Sequence, residues 1–166
     1  MQSNFPAPAE ARVVTLAQIA FASAVELLHR YRIVLVHVAD GAPIPGSYWG
    51  EPEAGVIGEK VYARGDTPVH SLLHEACHLI VLPPQRRSQI HTDASESQAE
   101  EDAACYLQIL LADALPGVGR QRLMADMDAW GYSFRLDSAH TWFERDAEDA
   151  RAWLTARGLL PVVAKR

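Results

Sequence analysis

The sequence has few cysteines, no block of basic residues and no long apolar run. Two cysteines among 166 residues are too few for a disulfide framework, which predicts a reducing compartment. A formal net charge of −6 argues against the phosphate neutralisation on which nonspecific nucleic-acid binding depends. The apolar segment 11–28 begins beside Glu10 and a single arginine, Arg12, without the basic start of an export signal, and nothing longer could span a membrane. We therefore expect a cytoplasmic protein that binds neither nucleic acid nor membrane.

The composition is that of a folded domain. Apolar residues make up 49% of the chain and charged residues 22%, as in globular proteins. A length of 166 residues predicts one domain over 1–166, in which residues 1–10, with two prolines and no periodicity, form an arm.

The order of patterns along the chain predicts an α+β fold. A helical period covers 15–30, and a continuous apolar run at 31–39 indicates a buried strand. A loop rich in glycine and proline, 40–55, leads to a charged strand at 56–63 that would suit a sheet edge. After the segment 67–84 the pattern is helical: a helix capped by Ser95 and ended by Pro116, then helices at 119–130 and 138–157. These elements predict one small sheet followed by a mostly helical C-terminal half.

The segment TPVHSLLHEACHLIVLPP, residues 67–84, carries the strongest chemical signal. Thr67 and Pro68 are typical of a helix start, and two prolines at 83–84 end it. His74 and His78 lie four residues apart, so one face of the helix can direct both imidazoles to a metal ion. Glu75 follows the first histidine, where it can take a proton from a water on that metal. The pattern predicts one zinc ion per chain.

A third ligand is expected from another helix. His70 is in line with His74 and His78. Three ligands in a row along about 12 Å of helix cannot surround one ion. We therefore expect His70 either to support the metal ligands from outside or to lie at the surface. In the downstream helix Glu100 falls on the apolar stripe, where an acid is costly unless it is paired or coordinated. We therefore predict Glu100 as the third ligand, and after it Glu96, Glu101 or His91.

These residues resemble a known family. HExxH on one helix with a glutamate on the next is the arrangement of the gluzincin metallopeptidases. The run HEACH followed by EEDAACYL, within 56–112, is most similar to the ImmA/IrrE-like peptidases, whose glutamate and following Asn or Asp would match Glu100 and Asp102. Cys77 stands where that family usually has glycine. The resemblance implies a zincin-like fold, with an edge strand beside the active-site helix.

The resemblance also implies a reaction. Zinc held by His74, His78 and Glu100 would keep one position open for water, and Glu75 would act as general base and then as general acid on a peptide or protein substrate. The strand 56–63 would line the cleft and bind an extended peptide by main-chain hydrogen bonds. A second donor to the oxyanion is expected in such enzymes. His140 ranks first among the candidates, which also include Tyr48, Tyr62 and His91.

Three other interpretations remain open. The same chemistry could hydrolyse a bond other than a peptide bond. A non-catalytic protein could retain the metal helix as a structural element, although a structural zinc needs no base such as Glu75 and closes its fourth position with protein. A metal-free helical protein that binds a partner would carry the histidines as core residues. The sequence identifies neither the substrate nor the oligomeric state.

Overall fold

The computed structural model describes residues 12–48, 50–91 and 97–161, so the arm predicted at 1–10 lies outside it. Within these ranges the chain forms seven α-helices and one three-stranded sheet. The strands are β1 (Val34–Val38), β2 (Gly55–Ile57) and β3 (Lys60–Arg64). The helices are α1 (Phe21–His29), α2 (Val69–Val81), α3 (Pro84–Arg87), α4 (Gln98–Leu111), α5 (Gly119–Trp130), α6 (Ala139–Arg145) and α7 (Glu148–Ala156). The predicted α+β fold with one small sheet is confirmed.

The sheet has mixed topology, in the order β1–β3–β2. β3 is parallel to β1, with Leu35 beside Val61, and antiparallel to β2. The strand predicted at 56–63 is therefore a hairpin of two strands. Gly58, in the turn between them, has a φ of +60°, a conformation that glycine adopts without steric cost.

The outer edge of β2 is paired by the chain itself. The Val56 N–H donates to the Gly46 carbonyl at 3.2 Å, and the Gly58 N–H donates to the Ile90 carbonyl at 2.7 Å. Short bridges join Ser47 to Gly55 and Ile57 to His91. A peptide that added to β2 would have to displace these segments.

Several helix boundaries differ from the sequence prediction. A capped 3-10 turn, Leu16–Gln18, precedes α1, so the segment 15–30 is not one helix. α4 is capped by Ser97, whose Oγ accepts from the Glu100 N–H at 3.1 Å, whereas Ser95 and Glu96 lie outside the described residues. The segment 138–157 is two helices, because the chain leaves helical geometry at Asp146. α5 has the bounds predicted for it.

Helix α2 lies at the centre of the fold. It packs against β2, β3, α4 and α5, and all its residues except Glu75 are buried. Such a helix needs an apolar surface on nearly every side, and the two leucines at 72 and 73, with Leu79 and Ile80, supply it. Within the described ranges no helix is long and apolar enough to cross a membrane.

Candidate metal centre

Two histidines converge on the buried face of α2. His74 and His78 are one helical turn apart, and their Nε2 atoms lie 3.0 Å from each other. The rings are perpendicular, with centroids 4.5 Å apart. Two ring nitrogens that meet away from solvent need a shared proton or a common metal ion, because an unpaired buried polar atom is costly.

Glu101 brings a carboxylate to the same point from α4. Its Oε1 lies 3.1 Å from His74 Nε2, and its Oε2 lies 2.8 Å from His78 Nε2. A tetrahedral zinc site with bonds of about 2.0–2.1 Å separates neighbouring ligand atoms by roughly 3.3 Å. The two imidazole nitrogens and the Glu101 carboxylate are therefore spaced for one small ion. Among the described residues Glu101 Oε1 is buried with only His74 Nε2 within reach, and a metal bond would satisfy it.

The carboxylate that reaches the histidines is Glu101, not the predicted Glu100. Glu100 points to the neighbouring face of α4, where it lies 3.5 Å from the Arg86 guanidinium. His91 does not join the group, because it is exposed beside β2, and Glu96 is outside the described residues. One residue along an α-helix is about 100° of rotation, which is enough to place Glu100 in a partly buried ion pair and Glu101 beside the histidines.

Gln108 determines which nitrogen of His74 is free for a metal. The Gln108 side-chain N–H donates to the His70 carbonyl at 3.1 Å, and because that carbonyl can only accept, the amide nitrogen must face it. The amide oxygen then faces His74 Nδ1 at 2.6 Å, so Nδ1 carries the proton and donates it. This leaves the lone pair of His74 on Nε2, which points at Glu101. Metal-binding histidines are oriented by an outer hydrogen bond of this kind.

The charges of the group are mutually dependent. Burial works against an ionised Glu101, but the charges and hydrogen bonds of His74 and His78 outweigh it and hold the pKa of Glu101 far below its usual range. Burial likewise opposes a protonated His74, yet Tyr132 and the Glu101 carboxylate raise the pKa of His74 well above its usual value. Without metal the raised pKa of His74 favours a proton on that imidazole beside the ionised Glu101, and a cation can replace this proton.

Glu75 is the residue of α2 that has access to solvent. It is half-buried, whereas the rest of the helix is buried. Burial raises the pKa of Glu75 above its usual value, while His78 and His74 partly oppose that shift. A carboxylate with a raised pKa beside a metal site is suited to receive a proton and to release it again.

Tyr132 and His70 form a second layer next to His74. His70 Nδ1 lies 3.0 Å from the Tyr132 hydroxyl, and the Tyr132 ring stands edge-on to His74 at 5.7 Å. Burial lowers the pKa of His70 to about 3, so this imidazole is neutral. Its Nε2 is buried and has no hydrogen-bond partner in the described ranges, which costs least if Nε2 carries only a lone pair and the proton is on Nδ1. In that tautomer His70 donates to the Tyr132 hydroxyl oxygen, which also has a hydrogen bond with the Gln108 side chain.

The predicted oxyanion donors lie on elements other than α2 and α4. His140 is exposed on α6. Tyr48 is exposed, and Tyr62 lies on β3. Tyr132 was not among the candidates, because it follows the last residue of α5 and no local pattern relates it to His74. His70 is buried, so its predicted role as a support residue is retained and its placement at the surface is excluded.

Cys105 also approaches the group. One donor atom each from His74, Glu101 and Cys105 lies within 4.8 Å of the others, so these three residues could hold a metal ion. Both cysteines are free thiols and buried. Burial raises the pKa of the Cys105 thiol, although its hydrogen bond with His74 partly opposes this. The centre thus offers either an open set of two histidines and Glu101 or a set that includes sulfur.

No known protein family, no curated protein and no solved structure matches this chain. The site must therefore be interpreted from its own geometry.

Proposed function

We propose that the protein is a zinc-dependent peptidase of the gluzincin type, with a zincin-like arrangement that resembles the ImmA/IrrE-like enzymes. The observation that carries this proposal is the convergence of His74 and His78 on the Glu101 carboxylate, beside the half-buried Glu75. A metal bound by three residues leaves a position for water, and the accessible residue of α2 is the one that a hydrolase needs as its base.

Each side chain of the site has a distinct role in the proposed reaction. Zinc bound by His74, His78 and Glu101 would supply an acidified water and a Lewis acid for the scissile carbonyl. Glu75 takes the proton of the attacking water and transfers it to the leaving amine. Gln108 holds His74 with Nε2 toward the metal position.

We assign the second oxyanion donor to Tyr132. His70 holds its hydroxyl oxygen at 3.0 Å. Tyr132→Phe is expected to lower kcat by about 10²–10³-fold, the usual effect of removing one oxyanion donor, with zinc content unchanged. Steady-state kinetics with metal analysis measures this, and Tyr62→Phe on β3 is the matched control. Equal activity of Tyr132→Phe and wild type would remove Tyr132 from the mechanism.

The experiment that tests the function is reversible metal removal. Protein stripped with a chelator is expected to lose hydrolysis of a mixed peptide pool and to regain it with about one equivalent of zinc per chain. Mass spectrometry of the pool gives the cleaved bonds, and a parallel set of esters and non-peptide amides tests for another hydrolytic substrate.

One specific result would favour a non-catalytic metal protein instead. Cys105 is near enough to join the ligands, and a site closed by sulfur would be structural. Such a site would bind one zinc per chain without hydrolysing any substrate. After zinc is replaced by cobalt, it would also show a sulfur-to-cobalt charge-transfer band that Cys105→Ser abolishes. Absence of bound metal in the wild type, even after zinc is added, would contradict both functions.

A further inference from the structure

Glu53, a carboxylate outside the metal group, has one oxygen without a hydrogen-bond partner among the described residues. Glu53 precedes β2, and its Oε1 accepts from the Trp130 indole N–H at 2.9 Å. Its Oε2 is buried and has no hydrogen-bond partner among the residues that the structure describes. A buried carboxylate oxygen left in this way is costly, and a ligand that donates to it would remove the cost.

The backbone beside Glu53 is anchored to the helix that carries Glu75. The Ala54 N–H donates to Ser71 Oγ at 2.9 Å in a buried hydrogen bond. Ser71 and Glu75 are four residues apart, so they lie on the same face of α2. This anchor brings Glu53 to the side of the helix on which the proposed base lies.

Electrostatic coupling indicates the same proximity. The pKa of Glu75 is raised first by burial, then by the Glu101 carboxylate, and last by the charge of Glu53. Burial raises the pKa of Glu53 itself, while the Trp130 hydrogen bond and the charge of His74 oppose the shift. Trp130 also packs on His70, with ring centroids 5.1 Å apart, so Glu53, Trp130 and His70 form a continuous wall beside Tyr132.

We propose that Glu53 is a specificity residue that binds an ammonium group of the peptide substrate through its free Oε2. This inference rests on the proposed function. The geometry favours an ammonium: Trp130 already occupies one acceptor site of Oε1, and an ammonium needs only the free Oε2, whereas a guanidinium binds best with both oxygens open to it. The ammonium belongs either to the peptide N-terminus or to a lysine side chain. Since Oε2 is covered, the segment before β2 must shift when the substrate enters.

Binding to a protein that cannot turn over tests the proposal. Three pools of mixed pentapeptides free of arginine are equilibrated with zinc-loaded Glu75→Gln protein. One has free N-termini and no lysine, the second is the same pool after N-acetylation, and the third is acetylated with one lysine per peptide. The bound peptides are quantified by mass spectrometry. The proposal predicts that one ammonium-bearing pool binds at least about 10-fold more tightly than the acetylated pool without lysine, as expected for a charge-assisted hydrogen bond.

A second substitution assigns that preference to Glu53. Glu53→Gln keeps an oxygen for Trp130 but removes the charge, and it is expected to abolish the preference. Glu51→Gln, two residues earlier on an exposed side chain, is expected to retain it. Loss of preference for free N-termini identifies the α-amine as the ligand, and loss of preference for lysine identifies the side chain. No preference, or one that survives Glu53→Gln, overturns the proposal.

Hydrolysis of the same pools by the wild type separates this inference from the proposed function. Glu53-dependent binding without cleavage would support the ammonium site and contradict the peptidase. Cleavage that does not depend on Glu53 would support the peptidase and contradict the ammonium site. A protein that neither binds nor cleaves the pools would contradict both.

Discussion

Glu101→Ala is expected to yield protein with little zinc, whereas Glu100→Ala is expected to bind about one zinc per chain, as wild type does. Glu101 lies within 3.1 Å of both histidine Nε2 atoms, and Glu100 faces Arg86. Loss of a direct ligand should weaken zinc binding by more than the roughly 10–100-fold that loss of an outer-shell partner costs. Elemental analysis of identically purified proteins, followed by competition with a chelator, measures the difference.

The two glutamates form a matched pair. They are consecutive residues of one helix, with side chains that are 12% and 13% exposed for Glu101 and Glu100 respectively. A general effect of removing a half-buried acid would appear in both variants, so only the zinc content distinguishes the ligand. Glu101→Gln keeps the side-chain volume if the alanine variant unfolds, which circular dichroism would reveal. Loss of zinc in Glu100→Ala with retention in Glu101→Ala would restore the assignment made from the sequence.

Helix α2 could be predicted because its determinants are local. The prolines that bound it, the spacing of His74 and His78 and the apolar residues between them all lie within one segment, and α2 forms over Val69–Val81. The small sheet followed by helices could also be predicted from the order of periodic segments. The hairpin within 56–63 could not, because Gly58 interrupts a pattern that otherwise continues across the turn.

Helical periodicity alone could not decide between Glu100 and Glu101, because it does not show which face of α4 meets α2. An apolar stripe identifies the buried face of a helix that is exposed on its other side. In α4, residues 103–109 are all buried, so the stripe at Ala103 and Leu107 does not single out the face that meets α2. A different signal was present: Glu101, Cys105 and Gln108 recur at helical spacing, so a carboxylate, a thiol and an amide share one face of this buried helix. A polar stripe of that kind on a buried helix indicates the side that faces a polar site.

Tyr132 and Glu53 depend on tertiary contacts. Tyr132 is 62 residues from its partner His70, and Glu53 is 77 residues from Trp130. No spacing rule relates residues so far apart, and each side chain alone resembles an ordinary loop residue. Only the packing of α5 on α2 shows that both belong to the surroundings of His74.

Glu75→Gln is expected to retain a full zinc complement and to lose nearly all peptidase activity. Glutamine has the shape of glutamate but cannot accept the proton of the attacking water or deliver it to the leaving amine, and general acid–base catalysis contributes about 10²–10⁴-fold. Because Glu75 is half-buried with a raised pKa, its carboxylate is poised for proton exchange and not held in a surface ion pair. Initial rates on a peptide that the wild type cleaves, with zinc measured on the same samples, give the effect on kcat.

The combination of retained zinc and lost turnover distinguishes a base from a structural residue. A Glu75 that merely stabilised α2 would lower the unfolding temperature and zinc content together when it was replaced. Glu26→Gln, on the exposed face of α1, controls for loss of one acidic charge and is expected to leave rate and zinc unchanged. Wild-type activity in zinc-loaded Glu75→Gln would exclude Glu75 as the base. Because the described part of α2 offers no other accessible acid, the proton acceptor would then have to come from another element, with Glu53 beside the same face as the first residue to replace.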